Sequence, residues 1–369
     1  MKKFWLVCLA LVSSAIFAAL ALAQGGITVN RLQVEEFAAL PEGARYPEGI
    51  TANPATGQIY VGTLDFEGNN QLLRFAQDGT LEAQKVFTGP LTGLIFQPGE
   101  SEDEAGQVYV ANFGFGKIQR IPADFTDDTP DEEVVDVATL PSIGPPPARL
   151  VANPDGSTDV ISFTTQLTTT VAAPNALTFN SEGDLFISDS FQGAIFRIND
   201  VANCEAPCEV ETVTQDALLA TAGFPPFGAN GLAFSDDGSQ LFVANTGDDR
   251  ILQMNVVTDV ITVTVFAESI NGADGITFDD QGRLWVAANQ NDELVALDSA
   301  GRVVARYGDF WGINADGAAQ GLLFPASPVI VDNQIFVTNL ALPLTAQAGD
   351  EPEEDVTRFT IAVIDISGG

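Results

Sequence analysis

The chain contains no histidine. That absence excludes Ser-His-Asp and Cys-His catalysis, histidine general bases and histidine-ligated transition metals. Carboxylates, hydroxyls, a few arginines or a bound hard cation are left to carry any chemistry. Basic residues are scarce too: 15 Lys and Arg stand against 50 Asp and Glu, a formal net charge of −35. Without residues 1–23, which hold Lys2 and Lys3 and no acid, the figure is −37. Such a surface repels nucleic acid and anionic lipid, so neither is expected as a partner, and it attracts divalent cations. Most of the acids read as a solubilising surface. The runs Glu100-Ser101-Glu102-Asp103-Glu104, Asp127-Asp128 with Asp131-Glu132-Glu133, and Asp350-Glu351 with Glu353-Glu354-Asp355 read as exposed loops.

Cysteine is nearly missing, with three in all. Cys8 lies inside an N-terminal apolar run. Cys204 and Cys208 flank Glu-Ala-Pro, and in an exported chain a short-loop disulfide is the default reading. The alternative, a metal pair, has neither histidine nor a further cysteine to complete a zinc site.

Long apolar runs are absent after residue 22. The one that exists, residues 4–22, follows Lys2-Lys3 and ends at Ala21-Leu22-Ala23 before Gln24. Basic n-region, apolar h-region and small-residue cleavage site together describe a signal peptide over residues 1–23. An uncleaved anchor is the alternative, because the run is nearly long enough to span a bilayer. The expectation is an exported, secreted or periplasmic chain with no membrane attachment after cleavage. Residues 24–369 are expected to form a single domain.

An apolar line, often closed by Asn or Asp, recurs six times: Gln58-Ile59-Tyr60-Val61, Gln107-Val108-Tyr109-Val110-Ala111-Asn112, Asp184-Leu185-Phe186-Ile187-Ser188-Asp189, Gln240-Leu241-Phe242-Val243-Ala244-Asn245, Arg283-Leu284-Trp285-Val286-Ala287-Ala288 and Gln334-Ile335-Phe336-Val337-Thr338-Asn339. A strand and a turn precede each copy, as in Phe234-Ser235-Asp236-Asp237-Gly238, and a third strand follows, as in Ala194-Ile195-Phe196-Arg197-Ile198. A fourth, more polar strand often comes next. Six units of four antiparallel strands predict an all-β six-bladed β-propeller. The sixth unit has no room for its fourth strand. A strand over residues 27–37 is expected to supply it and close the ring. Residues 141–173, 203–229 and 340–358 interrupt the period. The first two end at candidate site residues and so emerge on the site's face, where they would wall a pocket. The third reads as solvated loop.

Each unit's first strand lines the central channel of such a fold. Near its start stand Glu48, Thr92, Asn175, Asn230, Asp274 and, in the sixth unit, Ser327. Two carboxylates and two amides gathered on one axis suit Ca²⁺ or another divalent cation. The alternative is that these residues only open turns, although uncompensated acids on one axis would repel each other. Asn112, Asp189, Asn245 and Asn339, at the ends of the second strands, read as structural turn residues. The aromatics Tyr60, Tyr109, Phe186, Phe242, Trp285 and Phe336 read as packing between blades. Trp311 reads either as a pocket wall or as a rim contact.

The six units with Glu48, Asn175, Asn230 and Asp274 in this order resemble the SMP-30/gluconolactonase (LRE-like) family and its relatives paraoxonase and diisopropyl-fluorophosphatase, over residues 27–366. The resemblance implies those four residues as ligands of a Ca²⁺ or similar ion in the channel. It also implies hydrolysis of lactones or phosphoester-like substrates. The chain departs from the pattern in two places. It has none of the histidines of paraoxonase-like enzymes. It also has no good copy of an Arg-x-Asn-Asp-Gly segment, Asn153-Pro154-Asp155-Gly156 being a faint echo.

Two functions compete. In a divalent-metal hydrolase of lactone or ester-like small molecules, Asp274 serves as general base or nucleophile. In a non-catalytic NHL-like propeller, the blades bind a ligand or protein partner and the metal is structural.

Overall fold

The computed structural model describes residues 34–68, 70–101, 104–163, 172–256, 260–308, 310–345 and 349–367. The signal-peptide reading falls on residues 1–23, and these, like residues 164–171 of the first insertion, lie outside the described residues. Six antiparallel four-stranded sheets make up the fold. Blade one comprises Pro47–Asn53, Gln58–Thr63, Asn70–Phe75 and Leu81–Phe87, and blade two Leu91–Gln97, Gln107–Asn112, Lys117–Pro122 and Val135–Thr139. Blade three comprises Pro174–Phe179, Leu185–Asp189, Ala194–Ile198 and Glu211–Gln215. Blade four comprises Ala229–Phe234, Gln240–Asn245, Arg250–Asn255 and Val263–Glu268, and blade five Ala273–Phe278, Leu284–Ala288, Glu293–Leu297 and Val303–Tyr307. Blade six has Pro325–Val331, Gln334–Asn339 and Thr360–Asp365. Its outer strand is Glu35–Ala39, paired antiparallel with Thr360–Asp365. The ring therefore closes through the N-terminal segment as expected, although the strand lies later than the middle of the 27–37 run. No α-helix occurs among the described residues, and none of their helices is long and apolar enough to cross a membrane.

The second strand of every blade is almost wholly buried, which explains its unbroken apolar sequence. Four of the six expected aromatics reach a ring of the next blade, while Phe336 and Trp285 meet a ring of their own blade. Tyr60 stacks on Phe96, Tyr109 meets Phe179 edge-on, and Phe186 meets Phe234. Phe242 reaches Phe278, Phe336 reaches Phe37 of the closing strand, and Trp285 stacks on Tyr307 within its own blade.

The first strands contact one another in a closed ring, the sixth returning to the first. Each carries a bulge at the same place. In blade one, Glu48 and Gly49 stand opposite the single Gly62, between the pairs Pro47↔Thr63 and Ile50↔Val61. The equivalent positions are Thr92-Gly93, Asn175-Ala176, Asn230-Gly231, Asp274-Gly275 and Ala326-Ser327. Register thus corrects one expectation: the sixth residue of the ring is Ala326, not Ser327. The sequence around Pro325-Ala326-Ser327-Pro328 carries two prolines, so the repeat could be aligned one residue late.

The bulge's second residue faces the next blade. A Cβ on Gly49 would lie 1.9 Å from the Thr92 carbonyl oxygen, and one on Gly231 would lie 2.3 Å from that of Asp274. Glycine is required for this approach, and Gly93 and Gly275 meet the same constraint. Blades three and six have Ala176 and Ser327 there and use a hydroxyl instead. Ser188 Oγ accepts from the Ala176 N–H (2.8 Å) and donates to the Asn230 carbonyl (2.7 Å). Thr338 Oγ1 accepts from the Ser327 N–H (3.0 Å) and donates to the Glu48 carbonyl (2.7 Å), joining the last blade to the first.

Two substitutions test this arrangement. Thr338→Val leaves a buried carbonyl without its donor and is expected to cost about 1–3 kcal/mol. Gly49→Ala overpacks the same ring and is expected to cost about 1–3 kcal/mol. Denaturant titration measures both, and a change of a few tenths for either would remove the ring of close approaches as a source of stability.

Candidate metal centre

Because the bulge adds one residue, it re-aims the side chain at its first position. In this ring it brings Glu48, Thr92, Asn175, Asn230 and Asp274 to one cavity on the propeller axis. The four residues singled out from sequence are therefore together. All are buried, Glu48 at 4% and Asp274 at 5% exposure. A second ring, one residue past the end of each second strand, completes the floor with Thr246 and Asn289. Sequence reading missed this ring. Its signal was available, since Ser190, Thr246 and Asn289 directly follow the line-ending positions Asp189, Asn245 and Ala288.

Proton counting fixes the two amides. Ser190 Oγ donates its one proton to the Ala229 carbonyl (2.8 Å), so toward Asn175 Nδ2 (2.9 Å) it can only accept. Thr246 Oγ1 donates to the Ala273 carbonyl (2.8 Å) and accepts from Asn230 Nδ2 (3.0 Å) in the same way. Each amide nitrogen is committed to a hydroxyl, which leaves the amide oxygen as the atom available to the cavity. Asn289 Nδ2 donates to Asp274 Oδ2 at 3.0 Å.

The carboxylates are under-satisfied. Glu48 Oε2 and Asp274 Oδ1 are buried without a hydrogen-bond partner. Burial, then the charge of Asp274, holds the Glu48 carboxyl well above its ordinary range. Burial raises Asp274 to about 7, against the opposing hydrogen bonds of Asn289 and Asn230. Two acids that resist ionising side by side, each with an orphan oxygen, are what a cation site looks like without its cation. The donor set is all hard oxygen, with no sulfur and no imidazole, and fits Ca²⁺. Among the described residues no three Asp, Glu, His or Cys side chains gather to hold a metal, so the amides are essential to any such site.

Above the floor the walls are apolar: Leu64, Pro225, Phe227, Phe324, and Leu340 with Leu342 and Leu344. The depression has an empty volume of about 390 Å³, with about 30 Å³ clear for a water-sized guest. The latter holds an ion with one or two waters. Two expectations about the insertions now divide. Residues 203–229 do wall the site, through Pro225 and Phe227. Residues 340–358 are not merely solvated loop, because their first residues roof it; Leu340 continues an apolar strand and was read as the start of a loop. Residues 141–173 supply no wall among the described residues. They build a separate hairpin, Arg149–Ala152 with Thr158–Ile161, and Asn153-Pro154-Asp155-Gly156 lies in its turn. Trp311 is a rim residue, 59% exposed and away from the cavity.

The line-ending residues are structural, as expected. Asp189 accepts the N–H groups of Ala173, Phe191 and Gln192, Asn245 donates to the carbonyls of Leu218 and Ala220, and Asn339 donates to that of Gly321. Asn112 donates to the Thr88 carbonyl. Each ties down the loop entering its own blade's first strand. Cys204 and Cys208 have Cα atoms 5.7 Å apart, a separation that a disulfide spans.

Residues 224–308 match the family model for the SMP-30/gluconolactonase/LRE-like region. Comparison with curated proteins gives no match. Among solved structures the chain is similar to a luciferin-regenerating enzyme, with TM-score 0.59 and 14% identity over 91% of this chain and 95% of that one. It is also similar to the calcium-binding protein regucalcin of Agrobacterium tumefaciens strain C58, with TM-score 0.57 and 16% identity over 90% and 96%. A gluconolactonase of Xanthomonas campestris gives TM-score 0.52 and 14% identity over 89% and 88%. At these identities the structural likeness establishes the propeller, and the family assignment is supported by the matched region.

The geometry makes two expectations. In chelator, Asp274→Asn and Glu48→Gln each stabilise the protein, by about 1 kcal/mol or more, since either removes one of two buried, uncompensated acids. Ser190→Ala or Thr246→Val releases an amide and lowers cation affinity about 10–100-fold with every ligand still in place. Melting in chelator and calorimetric calcium titration read the two effects. Destabilisation by both acid substitutions in chelator would mean that the pair is not frustrated.

Proposed function

With an SMP-30/gluconolactonase/LRE-like region in a six-bladed propeller as premise, we propose that this chain is an exported, Ca²⁺-dependent hydrolase of lactone or ester-like small molecules. Glu48, Asn175, Asn230 and Asp274 are its ligand set. One observation carries the reading: four oxygen-bearing side chains from four blades meet in one cavity, with Glu48 Oε2 and Asp274 Oδ1 both buried and unpartnered.

When bound, a divalent ion supplies positive charge that polarises a carbonyl or phosphoryl oxygen. The rest falls to the chain. Asn289 fixes one oxygen of Asp274 and leaves Oδ1 toward the cavity. Asp274 is thus placed to take a proton from water or to attack the acyl carbon itself, and no imidazole competes for either role. The apolar walls keep bulk water from the reacting carbonyl.

The small clear space favours a second reading, in which the ion is structural and the propeller is a binding platform. An ester and lactone panel with calcium or chelator separates the two. Calcium at 100 times its Kd adds about 2.7 kcal/mol of stability under either reading. The hydrolase reading also expects turnover that vanishes with chelator and falls about 10²–10⁴-fold in Asp274→Asn. Full activity in that variant would sink it.

Export is part of the proposal. The mature chain is expected to begin at Gln24 and to carry a Cys204–Cys208 disulfide, as an oxidising compartment allows. Mass spectrometry of secreted protein, before and after reduction, checks both; a chain retaining residues 1–23 in solution would refute export by cleavage.

A further inference from the structure

We propose that the site selects substrates with an apolar acyl or aryl group and rejects polyhydroxylated ones, with Phe227, Leu342 and Leu344 as its specificity-determining residues. The inference rests on the hydrolase reading and names the substrate class of the same site.

The polar groups of the cavity are already committed. Thr92 donates to the Pro174 carbonyl and Thr246 to that of Ala273, Asn175 and Asn230 spend their amide nitrogens on hydroxyls, and Asn289 spends its own on Asp274. What is left is a cluster of oxygen acceptors suited to one cation, beside the second N–H of each amide. Among the described residues no Lys or Arg lines the cavity. With the floor oxygens turned to a cation, a polyol's remaining hydroxyl groups would be buried against Phe227, Leu342 and Leu344, which offer them no partner, and that penalty is large. The walls offer only carbon. Phe227 belongs to an aromatic group with Phe113 and Phe191, with ring centroids 6.0 and 5.8 Å away. That packing makes Phe227 a rigid wall.

Leu342 and Leu344 line the same cavity from the segment between the second and third strands of blade six. Both are half-buried, and the Leu344 N–H donates to Glu351 Oε2 at 2.6 Å. They lie outside every blade strand and pack on the buried cluster of Leu64, Phe324, Ala326 and Leu340. Only about 30 Å³ is clear for a water-sized guest, so a carbonyl group alone fits at the floor and the rest of an acyl group lies at the mouth, against these walls. A hydrolysable acyl group would place its carbonyl at the polar floor and its chain along these walls.

The test uses the full mature chain loaded with calcium. Para-nitrophenyl acetate, butyrate, hexanoate and octanoate are compared with glucono-1,5-lactone. The expected result is a kcat/KM that rises about fourfold per added methylene, ~0.8 kcal/mol each. The sugar lactone is expected to trail hexanoate by roughly a hundredfold or more. Leu342→Asn flattens the chain-length series, octanoate losing most and acetate least, while the calcium-dependent rise in melting temperature stays unchanged. Leu342→Ala, the milder variant, flattens it in part. A flat series in the parent protein, a slope untouched by Leu342→Asn, or faster turnover of the sugar lactone overturns the inference. Loss of the hydrolase reading shows differently, as no turnover of any substrate despite bound calcium. Calorimetry with octanoate, acetate and gluconate then decides the inference: tighter octanoate binding that Leu342→Asn abolishes upholds it, and equal binding of the three overturns it.

Discussion

Everything on the axis depends on one extra residue per blade. The bulge at the start of each first strand turns a side chain toward the channel and, in the same step, pushes its neighbour against the next blade. Two demands thus fall on adjacent residues. The first must carry whatever the channel needs. The second must be absent as a side chain, as at Gly49, Gly93, Gly231 and Gly275, or be bridged by a hydroxyl, as Ser188 and Thr338 bridge Ala176 and Ser327. In either solution the carbonyl of the next first-position residue is contacted: Thr92, Asn175 and Asp274 by glycine, Asn230 and Glu48 by a hydroxyl. The backbone of the ligand residues is held by the same contacts that close the ring, so stability and site geometry are two readings of one feature.

The electrostatics follow from that placement. Fold closure forces Glu48 and Asp274 into a desolvated cavity that neither can leave. With Asp at positions 175 and 230 as well, four acids would face one ion and the uncompensated charge would be severe. Amides keep the oxygen donors and drop the charge, provided their orientation is fixed. Ser190 and Thr246 fix it, because a hydroxyl whose proton is spent on a carbonyl can only accept. The proposed preference for a cation therefore rests in part on Ser190 and Thr246, which only orient the amides.

Much of this was legible in the chain because its signals are local. Strand lines such as Gln240-Leu241-Phe242-Val243-Ala244-Asn245 carry burial on both faces in their composition. The phrases Glu48-Gly49, Asn230-Gly231 and Asp274-Gly275 carry ligand and close approach in two letters. What was illegible depended on register or on distant packing. Ser327 was taken for Ala326 because no glycine marks that bulge. Leu342 and Leu344 read as loop because the apolar surface they cover, made of Leu64, Phe324 and Leu340, comes together only in the fold. Asn289 follows a line end, as Ser190 and Thr246 do, but its role is to orient Asp274, which that position alone does not tell.

Floor and walls answer to different constraints, and that separates what the fold decides from what it leaves open. The floor is built from blade strands, where a change at one position disturbs the neighbouring blade through the bulge. The walls come from residues 203–229 and from the segment after Asn339, both outside the repeat. A floor of committed hydrogen bonds can hold an ion but has little left with which to recognise anything else. Discrimination among guests must then come from the walls, and walls of Phe and Leu discriminate by desolvation, since they offer no hydrogen bond to give or withhold. A propeller of this kind can keep its ion site fixed and change its ligand by altering loops alone. For this chain the carbon-lined mouth, not the oxygen-lined floor, determines what it accepts.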